Sequence, residues 1–163
     1  MPELTQKERL QPSLLDRLTD DEPSKKIETR EKRILSFQKL RKSVIRDLTW
    51  LLNAGSLGTT EDLDKYPEIQ RSVLNYGIPD IAGVKASNVD ILTMERVLRQ
   101  AINYFEPRIL SNSLKIHVAK DDSTMGPNTI MFEIEGELWA QPIPERLFLK
   151  TVLDLELGNV ELR

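Results

Sequence analysis

The fold is decided by Ile91-Leu92-Thr93-Met94-Glu95-Arg96-Val97-Leu98-Arg99-Gln100-Ala101-Ile102-Asn103-Tyr104-Phe105-Glu106-Pro107-Arg108-Ile109-Leu110-Ser111-Asn112-Ser113-Leu114-Lys115-Ile116-His117-Val118. In its first half Ile91, Met94, Leu98, Ile102 and Phe105 recur at three- and four-residue steps, the period of one helix face. In its second half Leu114, Ile116 and Val118 alternate with Lys115 and His117, the period of a strand with one dry and one wet side. Pro107 stands between the two and disfavours helical backbone at Glu106, so the helix ends there. Ser87-Asn88-Val89-Asp90 opens it.

Working towards the C-terminus, the period of two persists. Ile130, Phe132, Ile134 and Leu138 alternate with Glu133, Glu135 and Glu137, and Leu149, Thr151, Leu153, Leu155 and Leu157 alternate with Lys150, Asp154 and Glu156. Gly126-Pro127-Asn128 supplies a turn between the first two strands. Towards the N-terminus the period is helical. A helix is expected from about Arg30 to Asn53, with Thr29 as N-cap and Phe37, Leu40, Val44, Leu48 and Leu51 as its stripe. Ile45 and Leu52 widen that stripe, and Trp50 lies at its edge. Gly55 is expected to stop this helix by taking positive φ. Ser56 to Lys65 reads as a loop, and Pro67 starts a short helix carrying Ile69, Val73 and Leu74 and closed by Gly77. Ile78 to Gly83 is a bend.

The N-terminal stretch Glu8 to Leu18 reads as a short amphipathic helix with Leu10, Leu14, Leu15 and Leu18 on one face and Ser13 and Asp16 as a weak capping box. Asp20 to Lys26 reads as a linker. Helices first and strands after predict an α+β fold, with N-terminal helices packed on a small C-terminal antiparallel β-sheet. The expected organisation is a docking arm over 1–24 and one α+β domain over 25–163.

At 163 residues the chain is long enough for a single self-sufficient core. It carries 23 basic and 26 acidic side chains, which argues against a nucleic-acid binder. The charge is uneven: Lys25 to Arg46 holds nine basic residues against Glu28 and Glu31, whereas Met131 to Arg163 is net acidic. There is no cysteine, which removes disulfides, thiolate nucleophiles and thiolate metal sites. A single histidine, His117, cannot build a multi-histidine metal centre. The opening residues show no basic and apolar leader pattern, so no signal peptide is expected, and no window approaches the ~20 apolar residues that span a bilayer.

Candidate chemistry is sparse. Glu133, Glu135 and Glu137 share a strand face that Asp154 and Glu156 could join, but a hydrolase would need a pocket to raise the pKa of one of two facing carboxyls. A solvated sheet face is the simpler reading. His117 shares that wet face. Gly55 to Thr60 lacks the Gly-Lys-Ser/Thr ending of a phosphate loop and reads as a turn. The basic run has no interleaved aromatics and reads as a solvated helix face or a surface for an acidic partner. Glu106-Pro107-Arg108 is the informative tripeptide: Pro fixes the chain, and Glu and Arg are expected to point outwards as a docking corner, Arg offering a rigid bidentate fork. Its simpler reading is a helix stop with flanking charges.

Four segments in order, Glu8 to Asp20, Leu40 to Asn53, Val73 to Asp80 and Phe105 to Leu110, resemble the TssE family of type VI secretion baseplate proteins, related to the T-even phage baseplate wedge protein long labelled a lysozyme. The resemblance implies a structural component, not an enzyme, with no cofactor, placed where the baseplate wedge meets the contractile sheath. It implies the wedge proteins TssF, TssG and TssK and the sheath subunits as partners, neither nucleic acid nor membrane insertion, and a cytoplasmic location at the inner face of the membrane. The family's Glu-Pro-Arg element, associated with docking, falls on Glu106, Pro107 and Arg108. The family's strands are implied to extend the sheet of sheath subunits. The Leu10, Leu14, Leu15 and Leu18 face is expected to bury itself on a wedge partner, since apolar area gains ~25 cal/mol per Å². The competing classes are a peptidoglycan hydrolase, tested by turnover of cell wall lost on Glu→Gln changes, and an anti-adaptor of proteolysis, a role known for a stress regulator of this domain type.

Overall fold

The computed structural model describes residues 14–19, 24, 37–80, 82, 90–120, 129–139 and 144–162. Within these, four α-helices precede four strands: α1 (Leu14–Leu18), α2 (Phe37–Leu52), α3 (Pro67–Gln70), α4 (Ile91–Phe105), β1 (Lys115–Lys120), β2 (Thr129–Leu138), β3 (Glu145–Asp154) and β4 (Asn159–Leu162). The strands form one antiparallel sheet in the order β1-β2-β3-β4. The α+β arrangement read from the sequence is the one observed.

One face of the sheet is dry. Register places Ile116 opposite Ile134, Ile134 opposite Leu149, and Leu153 between Ile130 and Val160. All of these are buried. Leu40, Val44, Leu48, Leu51 and Leu52 of α2 and Met94, Leu98, Ala101 and Ile102 of α4 cover them, forming one core. Helix α4 lies on β1 and α2 on β4. Each fully buried leucine or isoleucine contributes about 1.5–3 kcal/mol, so this layer contact carries the fold. Trp50 sits exposed at the edge of the stripe. The Phe37 and Val118 side chains, Thr29, Ser13, the 30–36 part of the expected long helix and the Gly126–Asn128 turn lie outside the described residues.

Asp90, the last residue of the expected opening stretch, caps α4: its carboxylate accepts from the Leu92 amide at 3.1 Å and the Thr93 hydroxyl at 2.6 Å. The Thr93 bond in particular holds the Asp90 pKa below the usual carboxylate range.

Three expectations are corrected. Gly55 does not take positive φ. Helix α2 ends instead through Asn53, whose backbone and side-chain N–H groups both reach the Thr49 carbonyl, at 3.2 and 2.8 Å. The chain then clips onto Ile78, whose N–H donates to the Ala54 carbonyl and whose carbonyl accepts from Ser56, each at 2.9 Å. The positive φ falls on Gly77 (126°), where a Cβ would lie 2.3 Å from the Ala54 carbonyl oxygen. The helix begun by Pro67 breaks after Gln70, because the Ser72 hydroxyl caps a separate 3₁₀ turn over Val73–Asn75. The third predicted strand is two structures. Asp154 Oδ1 accepts from the amides of Glu156 (2.8 Å) and Leu157 (3.2 Å), Gly158 takes φ 64°, and the chain turns back into β4. Leu155 is buried and Leu157 exposed, so their apparent alternation belongs to a turn.

Candidate docking site at the helix corner and sheet edge

The corner after α4 is a closed ionic cluster. Glu106 is the C-cap of α4, its N–H donating to the Ile102 carbonyl at 2.8 Å. Its side chain is only 3% exposed. Such a carboxylate stays charged only if paired. Arg108 folds back to pair it, with Nε to Oε1 at 2.6 Å and Nη2 to Oε2 at 2.5 Å, while the Arg108 amide adds 3.2 Å to Oε1. The same guanidinium reaches α2, donating from Nη2 to Asp47 Oδ2 at 2.6 Å and from Nη1 to Ser43 Oγ at 2.9 Å. The expectation that Glu106 and Arg108 point outwards is therefore corrected for Glu106: its burial turns both charges inward. Pro107 is exposed, and the Arg108 side chain keeps 23% of its surface in solvent.

The cluster continues to α1. Buried Ser43 donates to Asp16 Oδ2 at 2.6 Å, and Arg46 Nη1 meets Asp16 Oδ1 at 2.7 Å. Arg46 also donates from Nε to Asp47 Oδ1 at 2.8 Å and lies over the Trp50 ring, 5.2 Å from its centroid. Asp16 thus ties α1 to α2; the Ser13 half of the expected capping box lies outside the described residues. The Tyr76 hydroxyl donates to the Asp47 carbonyl at 3.3 Å.

Electrostatics hold both guanidiniums of the cluster in their charged form. Burial alone would lower the Arg108 pKa, but hydrogen bonds and charge from Glu106, then Asp47, more than reverse this and raise it. Arg46 is raised in the same way: burial lowers its pKa, and the hydrogen bonds and charges of Asp16 and Asp47 together more than reverse this. The Tyr76 phenol is pushed up by burial first, then by the negative charges of Asp47 and Glu106. This arrangement fixes positions.

The corner is tied to the sheet. Trp139 donates to the Arg108 carbonyl at 2.7 Å and Leu110 to the Glu137 carbonyl at 2.9 Å, extending the β1–β2 pairing back to the cluster. At the far edge of the sheet a side chain occupies the backbone of Val160. Asn53 Nδ2 donates to the Val160 carbonyl at 3.0 Å, and the Val160 N–H donates to Asn53 Oδ1 at 2.9 Å. Among the described residues no strand pairs with the outer side of β1.

The remaining candidates read as follows. Leu14, Leu15 and Leu18 are exposed, and Leu10 lies outside the described residues. On the wet sheet face Glu133 stands between His117 and Lys150, Glu135 opposite Lys115, and Glu137 opposite Arg146. Lys150 Nζ reaches Glu133 at 3.2 Å. These acids sit in cross-strand rows with bases, and Asp154 caps a turn. The Gly55–Thr60 stretch is a 3₁₀ turn over Leu57–Thr59 whose Gly58 amide donates to Asn75 Oδ1 at 2.9 Å. Lys39, Arg41 and Lys42 are exposed on α2, whereas Arg46 joins the cluster.

Ser43, Arg46, Asp47 and Asp16 were not legible as site residues, although one signal was present: Asp47 is the single acid between Glu31 and Glu61, inside a strongly basic helix.

The family model for baseplate wedge protein gp25 matches residues 38–143. The chain belongs to the baseplate wedge protein gp25 family. The matched region holds Ser43, Arg46, Asp47 and the whole Glu106–Arg108 corner, while α1, β3 and β4 lie outside it. Membership makes the chain a structural component of a phage-tail-like baseplate, one that interacts with other baseplate proteins. No curated protein and no solved structure matches the chain. No helix among the described residues is long and apolar enough to cross a membrane.

Proposed function

We propose that the chain is a non-catalytic adaptor of the type VI secretion baseplate, joining the wedge of TssF, TssG and TssK to the contractile sheath at the cytoplasmic face of the membrane. The arm (1–24) and the basic face of α2 dock the wedge, the Glu106–Arg108 corner fixes their orientation, and the sheet of the 25–163 domain receives a sheath strand. The observation that carries this reading is the asymmetry of the sheet: Asn53 occupies the outer N–H and carbonyl of Val160 on β4, and the outer edge of β1 has no paired strand among the described residues. An open strand edge binds an extended segment through backbone hydrogen bonds. The pairing of residues 108–110 with 137–139 couples that edge to the cluster, which suits a rigid joint. Affinity comes from several modest contacts, so losing one weakens the adaptor without abolishing it.

Amide hydrogen exchange on the chain, alone and with purified sheath subunits, tests the edge assignment. Protection of β1 amides by at least tenfold with Val160 unchanged supports it; protection confined to β4, or none, overturns it. The hydrolase alternative is tested by incubation with peptidoglycan.

A further inference from the structure

We propose that Ser43, Arg46 and Arg108 form a carboxylate-binding socket, that Asp16 is its resident ligand in the free chain, and that an acidic side chain of a docking partner exchanges with Asp16 and frees α1. This deepens the wedge-docking reading and rests on it for the partner, but the socket itself is testable without one.

The ligand class is given by what the socket holds. Both Asp16 oxygens are engaged, Oδ2 by the Ser43 hydroxyl at 2.6 Å and Oδ1 by Arg46 Nη1 at 2.7 Å. Behind them, Arg108 Nη1 donates to the same Ser43 Oγ at 2.9 Å, which commits the Ser43 hydrogen towards Asp16.

The walls do not depend on their ligand. Arg108 is pinned by Glu106 and Asp47, and Arg46 by Asp47 and the Trp50 ring. Ser43 is buried in the body of α2. A site whose donors are held by other groups is preorganised for a replacement acceptor. A replacement is favoured, because the buried Ser43 hydroxyl, stripped of its acceptor, is costly to leave unpaired.

The ligand, by contrast, is on a weak mount. Helix α1 has five residues, and Leu14 and Leu18 are 70% and 74% exposed. Leu15, 40% exposed, is the one leucine of α1 that is more than half covered, so burial of its own leucines holds α1 only weakly. A tethered arm competes at an effective concentration in the millimolar range, so a partner acid wins only with supporting contacts. The outward leucines of the released arm are positioned to supply them.

The test uses the full chain and a capped synthetic peptide covering residues 8–20 as the carboxylate probe. In D16N, amides of residues 14–19 exchange hydrogen at least tenfold faster, while those of α2 and α4 stay within threefold. Excess peptide added to the wild-type chain produces the same acceleration in residues 14–19, and the peptide bearing D16N does not. Unchanged exchange in the D16N chain, loosening that spreads into α2 and α4, or equal action of the two peptides overturns the proposal. No baseplate protein enters these measurements, so their failure sinks the socket alone. Failure of the chain to co-purify with TssF and TssG would sink the docking reading and leave the socket standing.

Discussion

The Arg108 guanidinium holds the buried Glu106 carboxylate from two residues away, through contacts of 2.6 and 2.5 Å, and ties it to Asp47 on α2 with a third of 2.6 Å. A tripeptide that reads as an external docking corner is thus an internal brace between the end of α4 and the middle of α2. The two roles are compatible: Pro107 and part of Arg108 remain accessible, and the brace sets where they stand.

Arg108→Ala leaves Glu106 buried and without its partner guanidinium. Breaking a buried pair costs about 3–5 kcal/mol, and the 23% exposure of Arg108 puts this case near the low end, about 3 kcal/mol. Urea denaturation measures it. Adding Glu106→Gln to Arg108→Ala recovers part of the loss, since the stranded charge is gone. A loss below about 0.5 kcal/mol, the range of ordinary surface changes, would show that the brace does not hold the corner. Any loss of wedge binding in Arg108→Ala has to be compared at matched folded fraction.

Asn53→Ala opens the β4 edge. The Val160 N–H and carbonyl lose both partners, and the last turn of α2 loses a cap at Thr49. Each lost hydrogen bond costs about 0.5–1.5 kcal/mol, and the exposed edge invites pairing with a second chain. The expected result is faster exchange at Val160 and concentration-dependent self-association in sedimentation. A monomer with unchanged exchange at Val160 contradicts the seal.

Thr151 is fully buried opposite Phe132, and its hydroxyl has no hydrogen-bond partner. Thr151→Val keeps the branched shape and removes the unsatisfied group, so it stabilises the fold by about 1 kcal/mol. A thermal melt that shifts downward rejects this.

Alkaline stability reports on Tyr76. Its phenol has a folded pKa above the ordinary value of 10, through burial and then the charges of Asp47 and Glu106. Between the unfolded and folded values the folded chain keeps a proton that the unfolded chain has lost. The contribution is therefore fully present below pH 10 and disappears as pH rises through the folded value. Unfolding free energy measured from pH 8 to 11.5 falls more steeply in the wild type than in Tyr76→Phe; parallel curves contradict the assignment.

The helix-to-strand switch at Glu106–Leu114 was legible because two periods of burial meet there, and α4, β1 and the dry sheet face all follow from it. The β3–β4 turn was hidden because Leu155 and Leu157 prolong the strand rhythm, while the deciding signals, the Asp154 cap and Gly158, are local hydrogen bonding and backbone sign. The corner was found by its position, but its direction was not. Ser43 and Asp47 lie 65 and 61 residues from Arg108, and pairing over such separations leaves no periodic trace. Helix-end charges face water by default, and only the burial of Glu106 reverses that here.

The most direct measurement of the central claim is sheath assembly in living cells with the chain deleted and a fluorescent sheath subunit in place. If the chain is the joint between wedge and sheath, assembly is lost and returns on complementation with the wild-type chain. Sheaths that assemble and contract normally without it would contradict the account.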